Sequence, residues 1–167
     1  MTKQFNIDEL IDGIASKLQA EIASDRISKP IVIGIHTGGV WVARKLHEKL
    51  NCSSALGTLN ISFYRDDFTR IGVHPQVRPS ELPISVDGHD IILVDDVLYT
   101  GRTIRAALNE IFDYGRPRRV LFVALVDRGG RELPIQADIV GVHVDLDKGQ
   151  QIKLTGPEPM ELSVISL

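Results

Sequence analysis

Ile91–Thr103, I-I-L-V-D-D-V-L-Y-T-G-R-T, is the stretch from which the rest of the chain is best read. Four apolar residues in a row, three of them β-branched, predict a strand buried on both faces of a parallel sheet. Two adjacent carboxylates, Asp95 and Asp96, stand where that strand should end, and a polar turn, Thr100-Gly101-Arg102-Thr103, follows. Ile104, Ala107, Leu108, Ile111 and Phe112 then recur at helical spacing. The helix is expected over Thr103–Tyr114, with Gly115 as its C-cap and Pro117 just beyond.

Strand, acidic end, tight turn and helix start together describe a ligand site. Open α/β sheets bind ligands at the carboxyl ends of their strands. The unpaired N–H groups of a turn entering a helix hold phosphate well, and Gly101 lets the backbone come close. The hydroxyls of Thr100 and Thr103 add donors. A carboxylate pair beside a phosphate would repel it, so the acids must face something else. Sugar hydroxyls, good donors to a carboxylate, fit. One phosphate and two hydroxyls at that separation describe a ribose 5-phosphate. The plainer alternative is a buried strand followed by an ordinary Asp-rich turn.

Residues 92–104 resemble the signature of type I phosphoribosyltransferases, enzymes that use phosphoribosyl pyrophosphate (PRPP). The wording V-D-D-V-L-Y-T-G-R-T resembles in particular the PyrR branch, uracil phosphoribosyltransferases of which some also bind pyrimidine-operon mRNA. The resemblance implies an α/β fold: a central, mainly parallel sheet flanked by helices, with a flexible lid hairpin and a small hood. It implies that Asp95 and Asp96 hold the ribose hydroxyls. Leu98, Tyr99, Thr100, Gly101, Arg102 and Thr103 would hold the 5-phosphate.

The chain as a whole sets bounds on that reading. Its 167 residues suit one domain with a real core, and 43% apolar and 25% charged residues are ordinary globular values. A net charge of −3 gives no general nucleic-acid footprint. The single cysteine, Cys52, excludes an internal disulfide and suits a reducing compartment; it reads as buried filler more readily than as a nucleophile. No apolar run approaches the ~20 residues needed to span a bilayer. The N-terminal MTKQFNIDEL is too polar for a signal peptide, so a cytoplasmic protein is expected.

Asn6 with Glu9 forms a capping pattern, Phe5 with Leu10 fits a hydrophobic staple, and Ile7, Leu10, Ile11, Ile14, Leu18 and Ile22 make one apolar stripe. These predict a packing helix ending near Asp25. Pro30 opens a strand at Ile31–Ile35, followed by His36-Thr37-Gly38-Gly39 and a helix from Val40 to about Leu50. The two glycines permit unusual backbone angles, and the following N–H groups suit an anion. This turn resembles the family's pyrophosphate loop, formed here by Thr37, Gly38 and Gly39. Relatives commonly carry T-R-G where this chain has T-G-G, so the loop lacks their charge.

Leu59, Ile61 and Phe63 alternate with polar residues as in a strand, and a long polar stretch from Tyr64-Arg65-Asp66-Asp67 to about Pro83 follows. An excursion of that length is usually functional or disordered. By resemblance, residues 64–83 are the lid and Arg65 counters the departing pyrophosphate. Arg70, His74 and Arg78 read as solvated loop residues, and no metal-ligand spacing links the five histidines. Arg119–Val126 is the next buried strand. The run V-D-R-G-G-R-E-L-P after it resembles the PyrR base-binding region, with Val126, Asp127 and Arg128 at the nucleobase. The hood would take in about 127–141 and a C-terminal hairpin, Ile152–Leu154 with Leu162–Leu167, covering a sheet edge.

The implied reaction joins uracil to PRPP, giving UMP and pyrophosphate, with Mg²⁺ as cofactor. Asp95 is the one candidate protein ligand for the metal. A homodimer or larger assembly is implied too, with Trp41 either in the core or at an interface. Two other readings stand beside it. One is an RNA-binding regulator sensing UMP with little catalysis, favoured by Arg102, Arg105, Arg116, Arg118, Arg119, Arg128 and Arg131. Gly130 and Gln136 count against it, since they replace cationic or basic residues of the family pattern. The other is a purine phosphoribosyltransferase of the same fold.

Overall fold

A computed structural model describes residues 3–61 and 80–167. Helix α1 spans Ile7–Ala23, and its N-terminus is capped as expected: the Asn6 carboxamide oxygen accepts from the Glu9 amide at 3.2 Å. Strand β1, Ile31–Ile35, is buried throughout. Helix α2 covers Gly38–Leu50, β2 covers Gly57–Leu59 and β3 covers Asp90–Leu98. Then come α3 (Arg102–Tyr114, ending at Gly115), β4 (Arg119–Asp127) and β5 (Ile139–His143). Strands β6 (Gln150–Thr155) and β7 (Glu161–Ser166) close the chain.

The five-stranded sheet runs β2-β1-β3-β4-β5, and every neighbouring pair is parallel. Its apolar runs alternate between two cores because successive side chains of a strand point to opposite faces. Val32, Ile92, Val94, Val123 and Leu125 pack with α1 and α2, while Ile31, Ile33, Leu93, Phe122 and Ala124 pack with Ile104, Ala107 and Ile111 of α3. The expected mainly parallel α/β architecture is the one observed.

Several boundaries differ from the sequence expectation, each for a physical reason. The strand expected at 59–63 is β2, which pairs with β1 from Ile33↔Gly57 to Ile35↔Leu59; Ser62 and Phe63 lie outside the described residues. The β3 strand does not stop before the acids. It continues to Leu98 because β4 still pairs with it there, at Leu98↔Asp127. Residues 139–141, assigned by resemblance to the hood, belong to β5 in the central sheet. The C-terminal hairpin does not cover an edge of that sheet. It forms its own antiparallel pair, and Ile152, Leu154 and Leu162 join the core on the α1/α2 side.

An ion pair between the exposed Arg118 and the buried Asp90 anchors the start of β3. Asp90 is 2% exposed. Its carboxylate accepts from Arg118 Nε at 2.7 Å, from Arg118 Nη2, and from the Ser28 amide at 2.7 Å. The Arg118 hydrogen bond, assisted by Ser28 and opposed by burial, holds the carboxyl below its ordinary range. A carboxyl depressed in the folded state stabilises above its unfolded value and loses that contribution as pH falls through the folded one. Asp90→Ala should therefore cost about 1–3 kcal/mol at neutral pH in urea unfolding, with the gap to wild type closing in acid.

Candidate active site

The strand order places the site. From β1 the chain moves outward to β2, whereas from β3 it moves the other way, to β4 and β5. Crevices open at such reversals, beyond the carboxyl ends of the strands. Here β1 and β3 pair from Ile31↔Ile91 to Gly34↔Val94 and then separate. Past that point β1 turns away through His36–Gly38 while β3 carries Asp95 and Asp96 onward. A cleft of about 940 Å³ lies between them.

Of the predicted residues, Thr37, Gly38, Asp95, Asp96 and Thr103 line this cleft. Asp95 is buried and Asp96 half-buried. Each carboxylate leans on the backbone: Asp95 Oδ1 accepts from the Asp96 amide and Asp96 Oδ1 from the Val97 amide, both at 2.9 Å. These bonds fix the two acids against the strand that carries them.

Gly38 and Gly39 serve a purpose other than the unusual backbone angles expected of them. Neither has a positive φ. They open α2 and lie flat against the acidic end of β3. A Cβ on Gly39 would come within 2.6 Å of the Val94 carbonyl oxygen, and one on Gly38 would collide with the Asp96 carboxylate. The turn between β1 and α2 also contains a cis peptide, His36–Thr37.

The loop from β3 to α3 is shaped as a cradle. Gly101, the N-cap of α3, has φ of +95°, a conformation glycine takes at no steric cost. Thr100 Oγ1 accepts from the Arg102 amide at 3.2 Å, and the first helical bond runs from the Arg105 amide to the Gly101 carbonyl at 3.0 Å. Other first-turn amides of a helix have no acceptor within it. Leu98 is buried beneath the loop, and Tyr99 is exposed with the Arg128 guanidinium 3.8 Å from its ring centre.

Val126, Asp127 and Arg128 stand apart from the cleft lining. Val126 is fully buried in the sheet. The Arg128 amide donates to the Leu98 carbonyl at 3.1 Å, and the Asp127 carbonyl accepts from the Val144 amide at 2.9 Å. Those main-chain groups are thus already engaged. Burial pushes the Asp127 carboxyl up, but Arg131, the Gly129 amide and His143 outweigh it and hold it below its usual range. Arg65 and residues 64–79 of the expected lid lie outside the described residues. At its far end, Glu81 bridges back to Thr58 through paired bonds of 2.8 Å.

Sequence reading missed several cleft residues: Arg44, Asn60 and Lys153, with Trp41 left between core and interface. Trp41 and Arg44 follow Gly38 at three-residue steps along α2, so a helical wheel started at the glycine turn would have found them. Lys153 had no such signal. Between Ile152 and Leu154 it reads as the outward residue of a surface strand. Among the described residues no group of three or more His, Cys, Asp or Glu side chains is arranged to hold a metal, and no helix is long and apolar enough to cross a membrane.

Comparison with known proteins agrees with this geometry. Residues 2–154 match the model of the phosphoribosyl transferase domain. The chain is 62% identical over 161 residues to the bifunctional protein PyrR of Nitrosococcus oceani, covering 95% of this chain and 91% of that one. It is 55% identical over 157 residues to the protein of that name from Pseudomonas aeruginosa, covering 94% and 92%. Among solved structures, a hypoxanthine phosphoribosyltransferase from Trypanosoma cruzi superposes with a TM-score of 0.68 at 23% identity, covering 86% and 81%. One from Staphylococcus aureus does so at 0.62 and 19%, covering 89% and 80%. At those identities the structural likeness speaks for the fold.

The packing at Gly38 yields a prediction. A methyl group there must displace the Asp96 carboxylate or lift the turn from β3, so Gly38→Ala should weaken phosphoanion binding by about tenfold or more. Isothermal calorimetry, with far-UV circular dichroism to confirm folding, measures both.

Proposed function

Because the chain belongs to the phosphoribosyl transferase family, and within it to the PyrR proteins, we propose that it is a uracil phosphoribosyltransferase converting uracil and PRPP to UMP and pyrophosphate. The observation that carries this reading is the placement of Asp95 and Asp96 inside the crevice, between the glycine turn at Thr37–Gly39 and Thr103 at the head of α3. A phosphorylated sugar laid across that crevice meets carboxylates at its hydroxyls and N–H groups at its phosphates.

In the reaction, uracil N1 bonds to C1 of the ribose as the C1–oxygen bond to pyrophosphate breaks. The electron pair leaves with pyrophosphate and the N1 proton is lost. Positive charge develops on the sugar and negative charge on the leaving group, so positioning and electrostatics suffice, without a nucleophilic side chain. Asp95 and Asp96 accept from the ribose hydroxyls, and their charge favours the cationic sugar. The amides of the 99–103 turn, apart from that of Arg102, which donates to Thr100 Oγ1, and the Thr100 and Thr103 hydroxyls hold the 5-phosphate. The Thr37–Gly39 amides take the pyrophosphate, and Arg44 and Lys153 supply cationic charge to the same cleft. Arg65 is assigned by resemblance to the pyrophosphate as well, and Val126, Asp127 and Arg128 to the base.

A carboxylate site where no group of three or more ligands gathers among the described residues fits magnesium, which keeps waters and substrate phosphate oxygens and needs few side chains. Asp95 is the residue that would hold it, and the ion would neutralise charge on the pyrophosphate.

A second reading adds control of a pyrimidine-operon mRNA leader, with UMP as the signal. The relatives' name, bifunctional protein, favours it. The arginines expected to meet RNA are largely engaged elsewhere. Arg118 binds Asp90, Arg119 the Arg26 carbonyl, Arg102 Glu132 and Arg131 Asp127, while Arg128 lies over Tyr99. Filter binding to that leader, with and without UMP across a salt series, separates the two: a regulator shows steep salt dependence.

For the enzymatic reading, uracil, guanine, hypoxanthine and orotate compete for PRPP in one assay, and only uracil should be consumed efficiently. Consumption of a purine instead would overturn the base assignment. Asp96→Asn should lower turnover by more than about a hundredfold, and near-normal activity would remove the acid pair from the mechanism.

A further inference from the structure

We infer that Arg131 is a positioning residue for the 5-phosphate, gripping the phosphate loop from behind and tying it to the segment that follows β4. This rests on reading residues 98–103 as the phosphate cradle. A cradle built from backbone must turn its N–H groups to the anion and its carbonyl oxygens away, since each carbonyl carries partial negative charge. In this chain three successive carbonyls are turned away by a single neighbouring segment. The Leu98 oxygen accepts from the Arg128 amide at 3.1 Å. The Tyr99 oxygen accepts from Arg131 Nη1 at 2.7 Å. The Thr100 oxygen accepts from the Glu132 and Leu133 amides at 2.9 and 3.2 Å.

Only the Tyr99 link is made by a side chain, and that side chain is held on two further sides. Arg131 Nη2 donates to Asp127 Oδ2 at 2.6 Å, and Nε donates to the Ile135 carbonyl at 2.9 Å. The Asp127 side chain is 12% exposed and is itself set by the Gly129 amide at 3.0 Å. The planar guanidinium spreads its donors over three nitrogens in a rigid fork that reaches three separated acceptors, whereas a lysine ammonium gathers its three on one nitrogen. The loop is gripped from the ring side as well. Arg128 covers the Tyr99 ring, and Gly130, at φ of +84°, lies so near it that a Cβ would come 2.5 Å from a ring carbon.

Arg131 lies outside the lining of the cleft that holds the acid pair, and its charge is matched by Asp127. Its effect on substrate therefore passes through the Tyr99 carbonyl. The same guanidinium bridges the end of β4 and the loop after β3, so order in one segment is transmitted to the other.

The test pairs a ligand-free measurement with a kinetic one. In the ligand-free chain, amide hydrogen exchange at residues 99–103 should quicken by about tenfold or more in Arg131→Ala. The KM for PRPP should rise by about tenfold with kcat within about threefold, the signature of lost binding rather than lost chemistry. Guanidinium chloride at sub-denaturing concentration should restore KM in Arg131→Ala and leave wild type unchanged. Arg131→Lys should resemble the alanine variant, and it carries the test if Arg131→Ala fails to fold. Unchanged exchange with unchanged KM would overturn the assignment, as would a fall in kcat alone, which would place Arg131 at the reacting atoms. A wild-type chain that ignores PRPP in calorimetry overturns the cradle reading itself. A wild type that binds PRPP, with variants indistinguishable from it, overturns only the role of Arg131.

Discussion

The contact between the Gly38–Gly39 backbone and the acidic end of β3 is the constraint on which the site depends. Strands β1 and β3 pair as far as Gly34↔Val94; β1 stays with β2 one residue longer, at Ile35↔Leu59, and then turns through His36-Thr37 into α2. That departure opens the crevice. It also brings the first turn of α2 against Asp95 and Asp96 so closely that neither glycine has room for a side chain. A helix start, with its unsatisfied amides and the positive end of its dipole, thus lies beside two carboxylates. The helix start and the acid pair are in direct packing contact.

Such a juxtaposition is stable only if the charges are directed. The acids are fixed by the amides of the next residue along, so their positions are set by the strand that carries them. The Leu98, Tyr99 and Thr100 carbonyls of the loop from β3 to α3 are bound by residues 128–133, which engages the negative ends of those peptides. Exposed cations, Arg44 from α2 and Lys153 from β6, line the same cleft as the acids. With T-G-G in its turn, the chain has no arginine in the loop itself, and charge comes instead from neighbouring elements.

The C-terminal hairpin shows how a surface element becomes part of a site. Ile152 and Leu154 point into the core and anchor the strand. Lys153 between them is therefore presented to the cleft, and Gly156 packs on Trp41 of α2 where a Cβ would come 3.0 Å from the ring. Alternation along a strand places one residue of each pair inward, and here the outward one faces a cleft that another part of the chain creates.

Local chemistry was legible in the sequence. Buried strands show as β-branched runs, α1 shows in its stripe and cap, and the acid pair and the Thr37-Gly38 turn that meet at the cleft both stand out in the sequence. Those signals survive in one dimension because each depends on neighbours a few residues apart. What the sequence could not determine was how far β3 runs, since that depends on β4 continuing to pair with it past the acids. It could not show that 139–141 join the sheet, that Ile152, Leu154 and Leu162 of the hairpin enter the core on the α1/α2 side, or that Arg131 reaches the Tyr99 carbonyl. Nor could it tell whether Gly38 and Gly39 serve backbone freedom or close approach. Each of these is a contact between segments distant in the chain, fixed by strand order and packing, and only the tertiary structure decides such contacts.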